Sequence, residues 1–231
     1  MSVDILRSLT TATITTILLK KGIRNTWMRG PIPFAKGQER VVGKAFTLRF
    51  VPMREDLATP ESWTKPISTR HAIENMPEGA IAVVDAMGFT DAGILGDILV
   101  ARMKKRGVEA LITDGVMRDA AGVAEVGLPV WCAGIAAPPA IAGLTFVGWQ
   151  EPIACGGVAI FPDDVIVADG DGAVVIPGGL VDHVVEYGPE QERLEGWLVT
   201  EIGKGAKLPG LYPPDVETLA RYDAWKAGKD E

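Results

Sequence analysis

Hydrophobic and polar positions alternate along this chain in short runs of two different periods. Residues 80–85 (AIAVVD) and 109–113 (EALIT) are near-continuous apolar runs bounded by glycine, the pattern of buried strands. Between them the period changes at Asp97: Ile98, Leu99, Ala101 and Met103 interleave with Arg102, Lys104, Lys105 and Arg106, and Gly107 closes the segment. This predicts an amphipathic helix with an acid at its start and cations at its end. A helix of about ten residues rises about 15 Å, and a strand of roughly five residues runs about 16 Å the other way. The lengths nearly cancel. Loop 114–119 is therefore expected beside the start of the helix near Asp97, at the carboxyl edge of two parallel strands, where α/β sheets place ligands.

The flanking segments follow the same logic. Ile5, Leu6, Ile14, Ile17, Leu18 and Leu19 recur at helical spacing and Gly22 stops them, which predicts a helical arm within residues 1–40; residues 30–34 (GPIPF) read as a loop. Residues 41–51 alternate as a strand, with a bulge expected at Gly43. Residues 54–71 are polar and broken by proline, and a short helix is expected there near the ligand edge. Residues 128–131 and 158–161 read as further strands, with 136–140 as a connecting loop. Residues 164–177 read as a hairpin turning at Asp169-Gly170-Asp171-Gly172, since Asp-Gly accepts positive φ; the downstream ligands of a calcium loop are missing. Residues 180–204 predict a long helix with Val181, Val184, Val185, Leu194, Leu198 and Ile202 inward and Glu190, Glu192, Arg193 and Glu195 exposed. The tail 206–231 carries LPGLYPPD and an aromatic helix with Tyr222 and Trp225, more apolar surface than a free end needs, and is expected to pack on a neighbouring subunit.

Composition narrows the function classes. With 231 residues, 47% hydrophobic and 23% charged, the chain suits one α/β domain around a sizeable core. A net charge of −7 gives no broad footprint for nucleic acid, and Arg102, Lys104, Lys105 and Arg106 read as the solvated end of a helix. Cys132 and Cys155 sit in small, apolar surroundings and read as core, while His71 and His183 lack zinc spacing. Without a signal-peptide pattern, a reduced, cytoplasmic setting is expected. No apolar stretch approaches the roughly twenty residues that span a bilayer, so a soluble protein with no membrane partner is expected. Walker-type loops, GxGxxG after a strand and GxSxG are absent, which argues against nucleotide cofactors and serine hydrolysis.

The candidate chemistry lies in Gly93-Ile94-Leu95-Gly96-Asp97, twenty intervening residues, then Arg118-Asp119. Glycine at 93 and 96 permits a backbone in which Gly96, Asp97, Ile98 and Leu99 present successive N–H groups at a helix start, a seat for a small carboxylate. Asp97 alone reads equally as a helix N-cap. Arg118 offers a planar fork for a carboxylate, or a structural ion pair with Asp114 or Asp119. Asp119 is an oxygen donor suited to Mg²⁺, which keeps several waters and takes one or two carboxylates.

Gly93, Asp97, Arg118 and Asp119, with the blocks VVGKAFTLRF, EALITDGVMRDAAGVAEVGLPVW and PDDVIVADGDGAVVIP, resemble the RraA-like / class II pyruvate aldolase family over residues 8–205. That family includes the 4-hydroxy-4-methyl-2-oxoglutarate and 4-carboxy-4-hydroxy-2-oxoadipate aldolases and shares its fold with RraA, the regulator of ribonuclease activity. The resemblance implies a single RraA-like domain with a compact central β core, βαβ units and flanking helices, assembled as homotrimers or homohexamers with active sites between subunits. It implies that Gly96 to Leu99 contact substrate, that Arg118 binds the pyruvyl carboxylate, that Asp97 orients water or moves a proton, and that Asp119 holds Mg²⁺ or Mn²⁺. The implied reaction cleaves a 4-hydroxy-2-oxo acid to pyruvate and a second oxo compound, with oxaloacetate decarboxylation as a side activity; no Schiff-base lysine is needed. The alternative is an RraA-like, non-catalytic protein that binds a ribonuclease; the regulators lack the acid after the arginine, which is present here as Asp119. Thr15-Thr16 stands where the family's early helix carries Ser-Asp, and the tail from Lys207 is longer than the family's.

Overall fold

Strand residues that alternate between two buried faces organise the molecule. The computed structural model describes residues 2–228. Its elements are, in chain order, α1 (Ser2–Ser8), α2 (Thr11–Lys20), β1 (Ile32–Pro33), β2 (Val41–Pro52), α3 (Thr69–Asn75), β3 (Ile81–Asp85), α4 (Asp97–Lys105), β4 (Ala110–Thr113), α5 (Ala120–Val126), β5 (Val130–Cys132), β6 (Leu144–Trp149), β7 (Val165–Asp169), β8 (Gly172–Ile176), α6 (Val181–Gly203), α7 (Leu208–Leu211) and α8 (Val216–Ala227). All of β3 is buried because it separates two cores: Ala82 and Val84 face one, Ile81 and Val83 the other. In β4, Leu111 joins the first core, and Ala110 and Ile112 the second.

β2, β3, β4 and β5 run parallel in that order. Their crossovers pass through α3, α4 and α5, whose Ile73, Val100, Met103 and Val123 cover the outer core. β7 pairs antiparallel with the first half of β2 and β6 with its second half, and β8 follows β7. The sheet order β1-β5-β4-β3-β2-β7-β8 is nearly closed by residues 26–33. Met28 N–H donates to Ala173 O and Val175 N–H to Thr26 O, each at 2.9 Å, along β8, while Ile32 pairs with Cys132 of β5. The enclosed core holds Met28, Trp131, Cys155, Ile160 and Ile166. Trp131 Nε1 donates to Asp169 O at 2.8 Å, which satisfies its one polar atom.

The α/β architecture agrees with the sequence reading; several details differ. The helical arm stops before Gly22 as expected but is broken into α1 and α2, and it lies docked, with Leu6, Leu9, Ile14, Ile17 and Leu18 forming a third core against Val42, Val174 and Val184. Gly43 pairs regularly with Ile166, and the register of β2 instead shifts between Arg49 and Phe50. Glycine at 43 has another reason: a Cβ there would lie 2.6 Å from Gly79 O. Residues 158–161 form no strand, because the turn at Gly156 and Gly157 leaves only one antiparallel bridge, Ile153 to Ile160. Ile202 is exposed, whereas Glu190 is half-buried and accepts from Tyr222 Oη at 3.1 Å and Lys226 Nζ at 2.5 Å; Glu192 and Glu195 are half-buried too. The tail's Tyr222 and Trp225 pack on Trp197 of α6 within the chain, with ring centroids 5.5 and 6.4 Å away. No single helix among the described residues is long and apolar enough to cross a membrane.

Asp169, at the hairpin turn, ties α2 to the sheet. Thr11 donates to it from N at 2.9 Å and Oγ1 at 2.7 Å, Asp171 N at 3.0 Å and Arg40 Nε at 3.4 Å. Burial pushes its carboxyl up, but these donors and the Arg40 charge outweigh burial and hold it below its ordinary 3.8. The stabilisation is therefore complete above that value and drains as pH falls through the folded pKa. Asp169→Asn is expected to cost about 1–3 kcal/mol at neutral pH and to flatten the acid limb of stability. Urea midpoints measured across the acid range in both proteins check this; parallel acid limbs would refute it.

Candidate functional site

β3 and β4 end side by side, and the loops that leave them are laced by backbone bonds. Ile94 N–H donates to Val116 O at 2.9 Å, Arg118 N–H to Leu95 O at 3.1 Å, and Gly93 N–H to Pro138 O at 2.9 Å. The approach is so close that a Cβ on Gly93 would lie 2.8 Å from Arg118 N, and one on Gly96 would collide with Asp119 Oδ2. The expected meeting of loop 114–119 with the start of the helix at Asp97 is thus observed. Gly96 to Leu99, Arg118 and Asp119 line one cleft of about 300 Å³.

Asp114 holds this edge from behind. Its buried carboxylate accepts from Ala86 N at 2.8 Å and from Gly88 N and Gly156 N, each at 3.1 Å. Burial pushes its carboxyl above the ordinary value, opposed by those three N–H groups. Of the two ion-pair partners open to Arg118, Asp114 is thus committed to backbone, and Asp119 is the one in contact, with Arg118 Nε to Asp119 Oδ2 at 3.1 Å.

That pair does not explain its own geometry. The side chains are 34% and 41% exposed, and ion pairs so open to water contribute about 0–1 kcal/mol. Asp119 is left-handed, at φ 55° and ψ 47°, although it is not glycine, which costs of the order of 1 kcal/mol. It caps α5 through no side-chain bond. A strained, open carboxylate with little structural return is the profile of a functional group.

Asp97 is not the N-cap that its type suggested. Gly96 occupies that position in extended backbone, leaving Asp97 as the first helical residue, where an acid complements the positive helix end. Asp97 Oδ1 accepts from Ile98 N at 2.7 Å, and the carboxylate rests against Gly122 of α5. The N–H groups of Gly96, Asp97 and Leu99 donate to no protein acceptor among the described residues. These donors remain open at the helix start.

The expected placement of residues 54–71 at the ligand edge is observed, while the wall from β2 and β6 is not among the sequence expectations. Trp63 and Arg70 come from residues 54–71, whose short helical pieces are the 3₁₀ turn Pro60–Thr64 and α3, and Phe50, Leu144 and Phe146 come from β2 and β6. The alternation in LTFVGW was a signal for β6. α5 (AAGVAEV) carries little apolar period to find.

Among the described residues no group of three or more His, Cys, Asp or Glu gathers as a metal cage. The donors at the cleft are carboxylate oxygens, and Gly96 leaves Asp119 the space a Cβ would fill. This set fits a hard cation held by one or two carboxylates and its own waters.

Residues 11–175 match the family model RraA-like, described as Aldolase/RraA. The fold is similar to that of Streptomyces coelicolor RraAS2, described as an unusual member of the RNase ES inhibitor RraA protein family, with TM-score 0.76 and 35% identity over 85% of this chain and 94% of that one. An uncharacterized protein from Pseudomonas syringae pv. tomato gives TM-score 0.77 and 26% identity over 91% and 96%. By sequence, a Halalkalibacterium halodurans protein provisionally named 4-hydroxy-4-methyl-2-oxoglutarate aldolase is 34% identical over 115 residues, covering 49% of this chain and 54% of that protein. Protein DlpA of Legionella pneumophila is 27% identical over 176 residues, 76% of this chain and 28% of that protein. The chain spans about half or less of the length of these two curated relatives. The match over most of its length, on the laced cleft just described, means that the chain belongs to the RraA-like family.

Proposed function

We propose that this chain is a divalent-metal-dependent aldolase, a carbon–carbon lyase that cleaves a 4-hydroxy-2-oxo acid to pyruvate and a second oxo compound. The observation that carries the reading is the convergence of Arg118, the open N–H groups of Gly96, Asp97 and Leu99, and the strained carboxylate of Asp119 on one cleft. In the mechanism, the substrate carboxylate lies on the helix-start N–H groups and the Arg118 fork. Asp119 would hold Mg²⁺ or Mn²⁺, which when bound would supply Lewis acidity to the 2-oxo acid. Asp97 takes the C4 hydroxyl proton through a water, and the bond between C3 and C4 breaks. Arg118 stabilises the enolate charge, and return of a proton to C3 gives pyruvate. Oxaloacetate fits the same seat, so its decarboxylation is an expected side activity. Ile98, 80% exposed, and Ile135, 60% exposed, offer apolar surface near the site, in keeping with a homotrimer or homohexamer.

Arg118→Ala is expected to raise KM for the 2-oxo acid by about ten- to a hundredfold, with a smaller fall in kcat, because a carboxylate contact present before the transition state is lost. Steady-state kinetics check this; an unchanged KM would remove Arg118 from the seat. The reading as a whole is tested by a pyruvate-release screen over 4-hydroxy-2-oxo acids and oxaloacetate, with and without Mg²⁺ or Mn²⁺. Full activity in EDTA would overturn the metal assignment. A blank across all substrates would favour the second reading, a non-catalytic ribonuclease-binding protein, which draws support from the likeness to RraAS2.

A further inference from the structure

Arg70 stands apart from the other charged groups of the cleft. Ser68 caps α3 by accepting from His71 N, and Arg70 follows in the first turn. Its guanidinium lies 4.8 Å from the Trp63 ring centroid, a cation–π contact that restrains an otherwise flexible side chain. The acid one helical turn on, Glu74, is already engaged: Arg102 holds it through two bonds of 2.7 Å, and Arg106 adds a third at 3.3 Å. Arg54, on the same stretch of chain, is paired with Asp56. Arg70 consequently makes no hydrogen bond or ion pair with a carboxylate among the described residues, although it lines the same cleft as Arg118. Partial burial pushes its pKa below the ordinary arginine value.

We infer that Arg70 is a specificity-determining residue that binds a second carboxylate at the far end of the substrate, so that the cleft selects dianionic 2-oxo acids over monoanionic ones of equal length. The inference rests on the proposed 2-oxo acid site and adds to it the far end of the ligand. Arg118 and the helix-start N–H groups take the carboxylate beside the 2-oxo group. Arg70, entering from α3, takes the other, while Phe50, Leu144 and Phe146 cover the apolar carbons between. A guanidinium restrained on one face by an indole keeps its N–H edge for a planar carboxylate.

The test uses two non-cleavable probes of equal chain length, 2-oxoglutarate and 2-oxopentanoate, titrated calorimetrically into the full chain with Mg²⁺ present. 2-Oxoglutarate is expected to bind about tenfold or more tightly than 2-oxopentanoate, the effect of one charge-assisted contact. Arg70→Gln should erase that preference while leaving 2-oxopentanoate affinity within about twofold, and Arg70→Lys should keep part of it. The exposed position of Arg70 leaves the fold intact, which thermal melting of both variants verifies. Equal binding of the two acids by the unmodified chain, or a preference unchanged in Arg70→Gln, overturns the inference and leaves the 2-oxo acid site standing. Binding of neither acid overturns both.

Discussion

Asp119→Ala is expected to remove metal-dependent pyruvate release, a fall of at least about a thousandfold, because the one carboxylate among the described residues that both contacts Arg118 and lies open to the cleft would be gone. The fold should tolerate the change. The side chain's bond is to Arg118, across a pair open enough to water to contribute little, and it makes no cap bond to α5. Alanine is less at ease than aspartate in the left-handed region, which puts the expected stability loss at about 1 kcal/mol. Asp119→Asn separates the two effects, since asparagine accepts that backbone and lacks the charge. Both variants should lose calorimetric Mg²⁺ binding while melting close to the parent. Activity within about tenfold of the parent together with unchanged Mg²⁺ affinity would refute the assignment and shift weight to the ribonuclease-binding reading.

The same residue shows what was legible in the sequence. Apolar runs at 80–85 and 109–113 and the amphipathic stretch from Asp97 were enough to place one βαβ unit, and chain-length geometry brought its two loops together. Such segments are readable because burial on both faces demands continuous apolar residues, and burial on one demands a helical period. α5 escaped because AAGVAEV has almost no polar face against which to read a period, and its start is fixed by the backbone of Asp119, a property of conformation. The near-closure of the sheet escaped too, since residues 26–33 bridge β8 and β5 through backbone bonds, which leave no side-chain period to read. At the site, types and spacing named Gly96, Asp97, Arg118 and Asp119 as candidates, but could not choose between Asp114 and Asp119 as partner for Arg118. The choice depends on Asp114 being surrounded by three backbone N–H groups, one of them from Gly156, remote in sequence. Residues 54–71 were placed at the ligand edge, but the availability of Arg70 was not legible: nothing local to it says that Glu74 is engaged by Arg102 and Arg106.

Gly93→Ala and Gly96→Ala, three residues apart in one loop, are expected to fail in different ways. A Cβ at Gly93 would meet Arg118 N at 2.8 Å and the Met117 carbonyl carbon at 2.9 Å, and neither can move without separating the laced loops. That variant should lose about 1–3 kcal/mol of stability, read as a lower urea midpoint, and activity with it. At Gly96 the backbone is ordinary extended chain, which alanine adopts without strain, and the obstructed atom is Asp119 Oδ2, the end of a mobile side chain. Stability should therefore change by less than about 1 kcal/mol. The carboxylate, however, must swing away from the position it holds beside Arg118, so Mg²⁺ affinity and pyruvate release should each fall by about tenfold or more. A Gly96→Ala protein with parental metal affinity and turnover would mean that Asp119 does its work from some other position, and the glycine would then serve only the entry into α4. A Gly93→Ala protein as stable as the parent would show that the two loops are free to part, and the cleft would lose the rigid edge on which the assignment of Arg118 and Asp119 depends.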